Sequence, residues 1–309
     1  RATLWRKVAA PGPQRKHGKY PSLLLNSSNP PVVAVSTSPS RLNVSRSRFK
    51  LIRCMRIISL NIWGGKVGKK KLLSFFKMHA DMTDIFCLQE VWSAAYEHLD
   101  GHLAGGVKLD NRKIMTTAVK EISEVLPNHV AFFRPHHGDN YGLLMMVHRN
   151  LYVMEEGDVF VYKNKGYIPE GDVGNCARNI QYVIIETTSG PMTVINFHGL
   201  WNGKGKTDTE DRILQSKNIL KFTKKLNGEY ILCGDFNLLP DTKSVKLFEE
   251  KGLRNLIKEY KVSSTRTSFY AKPEKHADYI FVTKGIKVKE FKVLPDEVSD
   301  HAPLLIEVE

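Results

Sequence analysis

Tyr230-Ile-Leu-Cys-Gly-Asp-Phe-Asn237 is the stretch from which the fold is read. The apolar run Ile231-Leu232-Cys233 predicts a buried strand, and Gly234 lets that strand break into a loop. Asp235 and Asn237 stand two apart, so in extended backbone both side chains point the same way. A carboxylate beside a carboxamide puts an anionic acceptor and a neutral donor in one small space. Such a pair suits a site that holds a phosphate and activates water. Gly-Asp-x-Asn is also an ordinary turn sequence, so its meaning depends on what the other strand ends carry.

Working outward, Arg56–Ile62 predicts a strand ending in Trp63-Gly64-Gly65. Leu72, Phe75, Phe76 and His79 follow helical spacing. Asp84–Gln89 is a second buried strand with Glu90 at its end. Residues 93–126 read as mainly helical, interrupted by the Gly-rich 101–106. Strands are expected over 130–133, 143–148, 151–161, 180–187 and 191–198. Thr207 and Glu210 have capping-box spacing, and the helix behind them carries Ile219, Phe222 and Leu226. A helix near 243–258 precedes three closing strands, 278–283, 286–294 and 302–308. No internal repeat and no second domain boundary stand out. Hairpin-like neighbours alternate with strand–helix–strand units, which argues for a mixed α/β fold with two packed sheets and helices outside.

The chain of 309 residues is 42% hydrophobic, enough for a sizeable core and against general disorder. Its net charge of +14 suggests nucleic acid until the distribution is inspected. Of 46 Lys and Arg, twelve fall in residues 1–56, which hold no acid; the remaining 34 face 32 acidic residues, a net of +2. The folded part is therefore nearly neutral, and its charge is poor support for a nucleic-acid partner. Cys54, Cys87, Cys176 and Cys233 lack CxxC spacing, which disfavours a disulfide framework or zinc site and fits a reducing, cytoplasmic setting. No stretch approaches the roughly 18 apolar residues a membrane span needs, so stable membrane insertion is not expected.

Residues 1–54, rich in Ser, Pro and Arg without periodicity, predict a disordered basic leader, and residues 55–309 the catalytic domain. The chain opens on Arg, and Met55 stands just before the first strand. The expectation is that Met55 is the natural start; a transit peptide, with an organellar location, is the alternative.

Every polar interruption of the strand pattern falls at a strand end. Asn61 ends the first strand and Glu90 the second. Asn196 and His198 share one face of Met192–His198. Asp278 opens Asp-Tyr-Ile-Phe, and Ser299-Asp300-His301 precedes the last strand. Each has an ordinary structural explanation, but their recurrence points to convergence.

With these residues in view, the sequence resembles the endonuclease/exonuclease/phosphatase superfamily from Met55 to Glu309. The resemblance rests on Ser59-Leu-Asn-Ile62, Leu88-Gln-Glu-Val91, Asn196-Phe-His198, Gly234-Asp-Phe-Asn237, Asp278-Tyr-Ile280 and Ser299-Asp-His301, in the family's order. It implies a four-layer α/β/β/α sandwich with the site at one end of two packed mixed sheets. Glu90, with Asn61 and Asp300, would hold Mg²⁺, with Mn²⁺ as a substitute. Asp235, held by Asn237, would deprotonate water. His301, with Asp278 behind it, would donate to a phosphate oxygen. His198 and Asn196 would contact the phosphate from the opposite sheet. Tyr141 matches a phosphate-contacting tyrosine of some family nucleases. Leu143 stands where deoxyribonuclease-like members carry the glutamate that supports the equivalent of His198.

The expected function is Mg²⁺-dependent hydrolysis of a phosphodiester, with nucleic acid as the partner and a monomeric enzyme. A lipid or inositol phosphohydrolase is the alternative, since Leu-Gln-Glu-Val-Trp92 also looks sphingomyelinase-like. A catalytically inactive binding module is disfavoured by the complete polar set. The loop Gly199–Thr207, with Trp201, Lys204 and Lys206, reads as either a substrate rim or a surface loop. Arg134, His136 and His137 raise the same question.

Overall fold

The computed structural model describes residues 54–95, 99–203 and 205–309. The expected leader, apart from Cys54, and Lys204 lie outside the described residues.

The strands form two six-stranded sheets. The first contains β1 (Met55–Asn61), β2 (Ile85–Trp92), β5 (His129–His137), β6 (Tyr141–His148), β13 (Val288–Val293) and β14 (Leu304–Val308), in the order β13-β14-β1-β2-β6-β5. The second contains β7 (Val153–Tyr162), β8 (Arg178–Thr187), β9 (Gly190–His198), β10 (Glu229–Asp235), β11 (Arg254–Asn255) and β12 (Asp278–Val282), in the order β11-β12-β10-β9-β8-β7. A short hairpin, β3 (Leu103–Ala104) and β4 (Val107–Lys108), stands apart. Each large sheet has one parallel pair, β1/β2 and β9/β10. Parallel neighbours need a crossover, supplied by α1 (Lys69–His79) and α3 (Glu210–Thr223).

Strand alternation sorts side chains into layers. Ile57 and Cys87 face the core between the sheets, whereas Ile58 and Leu88 pack outward against Phe75 and Phe76 of α1 and Ile122 of α2 (Ala118–Val125). The second sheet carries α3 and α4 (Lys243–Glu250) on its outer face, giving the expected four layers. All four parallel strands end on the same side. Asn61 pairs in register with Gln89, and Asp235 with His198. The antiparallel β12 begins there with Asp278, opposite Asp235. Five strands from both sheets, β1, β2, β9, β10 and β12, thus deliver polar side chains to one end.

Some local expectations fail. Among the described residues of 93–126, loop, the β3/β4 hairpin and a 3-10 turn at Asn111–Lys113 predominate, and α2 is the one α-helix; the glycines and the short apolar stretches there suit turns better than an extended helix. The cap of α3 is Thr209, whose hydroxyl accepts from the Arg212 backbone N–H at 3.3 Å, so Thr207 and Glu210 form no box. The helix expected over 243–258 is broken at Gly252, φ 89°, into α4 and the one-turn α5 (Leu256–Glu259). All four cysteines are free. Among the described residues, no helix is long and apolar enough to cross a membrane.

Candidate active site

Backbone irregularities aim the site. By alternation Glu90 would share the outward face of Leu88. The β2/β6 register slips between Leu88 and Val91, and Glu90 takes φ 58°, which turns its carboxylate towards the strand ends. Trp63 (φ 50°) and Asn237 (φ 54°) are also left-handed, and all three line one cavity, where such strain characteristically gathers. Gly234 sits inside β10 at φ 140°, and a Cβ there would fall 1.9 Å from the Phe197 carbonyl oxygen. Only glycine lets β9 and β10 approach closely enough to set Asp235 beside His198. Asn237 does not lie parallel to Asp235, as extended backbone would have it. The chain folds back, and the Asn237 N–H donates to Asp235 Oδ1 at 2.8 Å. Between them, Phe236 is buried against Phe197, Phe248, Tyr279 and Phe281, anchoring the turn.

The centre is a pair of carboxylates joined by an amide. Asn61 Nδ2 donates to Glu90 Oε1 and to Asp235 Oδ2, both at 3.0 Å, while its Oδ1 accepts from the Trp63 N–H at 2.9 Å. His198 Nε2 lies 3.9 Å from Glu90 Oε1 and 3.8 Å from Asp235 Oδ2. His301 Nε2 approaches Asp235 Oδ2 from another side at 3.6 Å. Its Nδ1 faces both oxygens of Asp278, at 2.8 and 2.9 Å, and Thr265 Oγ1 donates to Asp278 Oδ2 at 2.9 Å. Asp300 accepts from Arg266 Nη1 at 3.2 Å and stands 3.8 Å from His301 Nε2.

These surroundings split the two imidazoles. Burial and then the Arg178 guanidinium depress the pKa of His198 to about 3, so it is neutral at pH 7. Burial and Arg266 also oppose charge on His301, but Asp278, Asp300 and Asp235 outweigh them and raise its pKa. Burial opposes ionisation of Asp235, yet His301, His198, Arg266 and Lys206 hold its pKa below the usual carboxylate range.

The residues named from sequence do not all reach the cavity. Glu90, Asp235, Asn237, His198, His301, Asp300 and Tyr141 line it. Asp278 and Asn61 stand directly behind. Asn196 is fully buried between the sheets, taking a bond from Gln89 at 2.7 Å and donating to the Leu88 carbonyl at 3.0 Å. It braces the layers and does not line the cavity. Asp300 stands with Arg266 and His301, outside the close Glu90–His198–Asp235 group. Leu143 is apolar and buried, and His198 Nδ1 has no hydrogen-bond partner among the described residues. Arg134 is turned away, paired with Glu156 and Asp158. His136 is buried 5.9 Å from the His198 ring, and Trp201 lies on the wall.

Arg178, Arg266 and Tyr270 line the cavity without a signal in the sequence, and Lys206, expected as either substrate rim or surface loop, lines it too. Arg266 sits in a polar loop, distant in sequence, and is brought in by its backbone bridge to His301. The cavity, of about 210 Å³, has an apolar wall at Trp63, Trp92, Leu99, Leu109 and Ile114. The β3/β4 hairpin closes one side. Asp172 accepts from the N–H groups of Gly105 and Gly106 at 2.7 Å each, and a Cβ on Gly105 would lie 2.4 Å from the Trp201 indole nitrogen.

The donor set fits a hard divalent cation. Glu90 and Asp235 share one amide with neutral His198 beside both; Asp235 also faces the readily protonated His301 at 3.6 Å, whereas the ring nearest Glu90 is the neutral one. Carboxylate oxygens with room for water suit Mg²⁺. Asn61 now presents its Nδ2; to offer Oδ1 it must turn its carboxamide and release Trp63.

Solved structures with this architecture include the mannosyl-6-phosphatase Bt3783 of Bacteroides thetaiotaomicron, at 19% identity and TM-score 0.63 over 82% of this chain and 99% of that one. Humanised D. rerio TDP2 gives 14% identity and TM-score 0.56 over 83% and 99%. ANGEL2, a 2',3'-cyclic phosphatase, gives 13% and 0.60 over 82% and 95%. No curated protein matches in sequence. The sequence model of the Endonuclease/Exonuclease/phosphatase family matches residues 58–301, and the chain belongs to that family. It is thereby a hydrolase of phosphoric esters.

Proposed function

We propose that the protein is a Mg²⁺-dependent phosphodiesterase acting on nucleic acid or nucleotides. The observation that carries the metal-assisted reading is the Glu90–Asn61–Asp235 cluster flanked by one neutral and one readily protonated histidine. Bound Mg²⁺, held by Glu90 and a turned Asn61, would neutralise charge on the phosphate and leaving group.

The chain's own residues do the rest. Asp235, fixed by the Asn237 N–H, accepts the proton of the attacking water. His301 donates from Nε2 to a non-bridging oxygen, and Asp278 holds the tautomer and favours the imidazolium. Neutral His198 gives an orienting hydrogen bond rather than a positive charge. Tyr141, its ring 4.8 Å from that of Trp92 and tilted 45° to it, offers its hydroxyl from the wall. Support for a nucleic-acid substrate comes from two indoles on the cavity wall, each with a lysine over its ring. Lys66 lies 5.0 Å from Trp63 and Lys272 5.3 Å from Trp201, pairing a stacking surface with a phosphate contact.

The test is an assay of the protein with Mg²⁺, Mn²⁺ or EDTA against single-stranded DNA, RNA, duplex DNA, sphingomyelin and inositol phosphates. Nucleic-acid cleavage that EDTA abolishes and Mg²⁺ restores is expected. Metal-independent turnover would sink the mechanism, and turnover confined to the lipid or inositol substrates would sink the substrate assignment.

A further inference from the structure

The hairpin that closes one side of the cavity is the least supported part of its wall. β3 and β4 are two residues each and form a sheet of their own. A two-stranded ribbon of that size is not stable by itself in water. Leu103 and Val107 are 46% and 61% exposed, so little apolar packing holds it down. Its tip is held by one carboxylate. Gly105 and Gly106, both left-handed at φ 64° and 81°, donate their N–H groups to Oδ1 and Oδ2 of Asp172, at 2.7 Å each.

Asp172 itself is fixed. Its Oδ1 also accepts from the Gly174 N–H at 2.8 Å, capping the 3-10 turn Val173–Asn175. Buried Arg178 braces that turn, donating from Nη2 to the Gly174 carbonyl at 2.9 Å and from Nε to the Gly199 carbonyl at 3.1 Å. One partner is thus anchored beside the catalytic centre, and the other hangs from two short strands. The hairpin rises from Leu109, whose N–H and carbonyl bond His102 and Gly101, and its tip ends against Trp201. The fit there is close. A Cβ on Gly105 would lie 2.4 Å from Trp201 Nε1, and one on Gly174 2.7 Å from the Gly105 nitrogen. Release of two charge-assisted bonds frees the tip without opening either large sheet.

The phosphorus of a diester carries two substituents, and at an internal linkage both continue as chain. The cavity, of about 210 Å³, is smaller than the roughly 300–1,000 Å³ of a pocket that takes a whole drug-sized ligand. Both flanking chains must therefore leave it, and a latched hairpin stands in the way of one. A terminal linkage needs a single exit. We infer that Asp172 is a positioning residue that sets specificity: by latching the β3/β4 hairpin it confines cleavage to the end of a strand, and its release admits internal linkages. This rests on the nucleic-acid reading and adds to it where along the chain the cut falls.

The experiment uses the full chain with Mg²⁺ and a single-stranded oligonucleotide, made as DNA and as RNA, each as an open strand and as a closed circle. The wild type should shorten the open strand from an end and cut the circle about 100-fold more slowly, the scale of two bonds to a charged acceptor. Asp172→Ala should bring the circle within about threefold of the open strand, with Asp172→Asn, which keeps one acceptor oxygen, in between. Gly105→Ala pushes the tip off Trp201 with Asp172 intact, and should move the ratio the same way. A general loss of activity or of folded protein leaves that ratio unchanged. Hydrogen exchange at the Gly105 and Gly106 amides reads the latch without substrate: it should be slow in the wild type and about tenfold faster in Asp172→Ala. A wild type that cuts circle and open strand alike overturns the inference, as does a ratio unmoved in variants whose amides exchange faster. Fast exchange at both amides in the wild type overturns it whatever the substrate. A wild type that leaves every DNA and RNA form intact refutes the nucleic-acid reading instead, and exchange then judges the latch alone. Should Asp172→Ala fail to fold, Asp172→Asn and Gly105→Ala carry the same two measurements.

Discussion

The two histidine corners of the site contain the same side chain in opposite conditions. His198 Nε2 and His301 Nε2 approach the same oxygen of Asp235, at 3.8 and 3.6 Å. Behind His301 stands a carboxylate that is itself held by Thr265; behind His198, Nδ1 has no hydrogen-bond partner among the described residues and Arg178 is near. One imidazole is thereby made a ready cation and the other is kept neutral. Distance to the shared carboxylate does not separate them. What lies on the far nitrogen does, and the pair illustrates how a single fold obtains two chemistries from one residue type.

Replacement of each ring should break the comparison most visibly. His301→Ala is expected to lower kcat by about 10³-fold, the range of general acid–base contributions, whereas His198→Gln should cost only about tenfold. Steady-state rates on one substrate with saturating Mg²⁺ would decide; equal losses would mean that protonation is not what distinguishes the corners. Asp278→Asn comes next, with an expected loss of about 10²-fold. Its pH profile is the sharper reading. His301 is active when protonated and its pKa is raised, so activity should fall as pH rises through that raised value. Without the Asp278 charge the same descending limb should move to lower pH. A limb that stays put would assign the titration to another group.

Much of this arrangement was legible in the sequence, because each site residue interrupts a strand-like apolar pattern at its end. The two sheets, the order of motifs and the convergence of Glu90, Asp235 and His301 follow from those interruptions. Three things did not show. Asn196 shares a strand face with His198, but alternation cannot tell the middle of an inter-sheet layer from its edge, and Asn196 proved to be a brace bonded to Gln89. Glu90 is aimed by a slip in β-register and a left-handed φ, neither of which has a periodic signature. Lys206 and Arg266 sit in loops, where a glycine- and lysine-containing segment reads the same whether its lysine is in solvent or buried against Tyr270. Burial of a charged loop residue is a tertiary fact, with no local pattern to announce it.

The smallest effect sharpens the comparison from the side of stability. In the unfolded chain His198 titrates near its ordinary value of 6.5, whereas in the fold its pKa is depressed to about 3. Between those values the unfolded state binds more protons, so stability must fall on acidification through that window. Each unit of separation is worth about 1.4 kcal/mol, and from pH 7 to pH 5 the loss assigned to this one ring comes to about 2 kcal/mol. His301 runs the other way: its raised pKa contributes stability that is fully present below 6.5 and lost as pH rises through the folded value. Urea unfolding of the wild type and His198→Gln in EDTA, at pH 7 and pH 5, separates the two corners. The variant should lose about 2 kcal/mol less than the wild type over that interval. Identical losses would show that His198 takes up a proton in the folded state as readily as in the unfolded one. The chemical distinction between the two corners would then vanish, whatever the distances to Asp235.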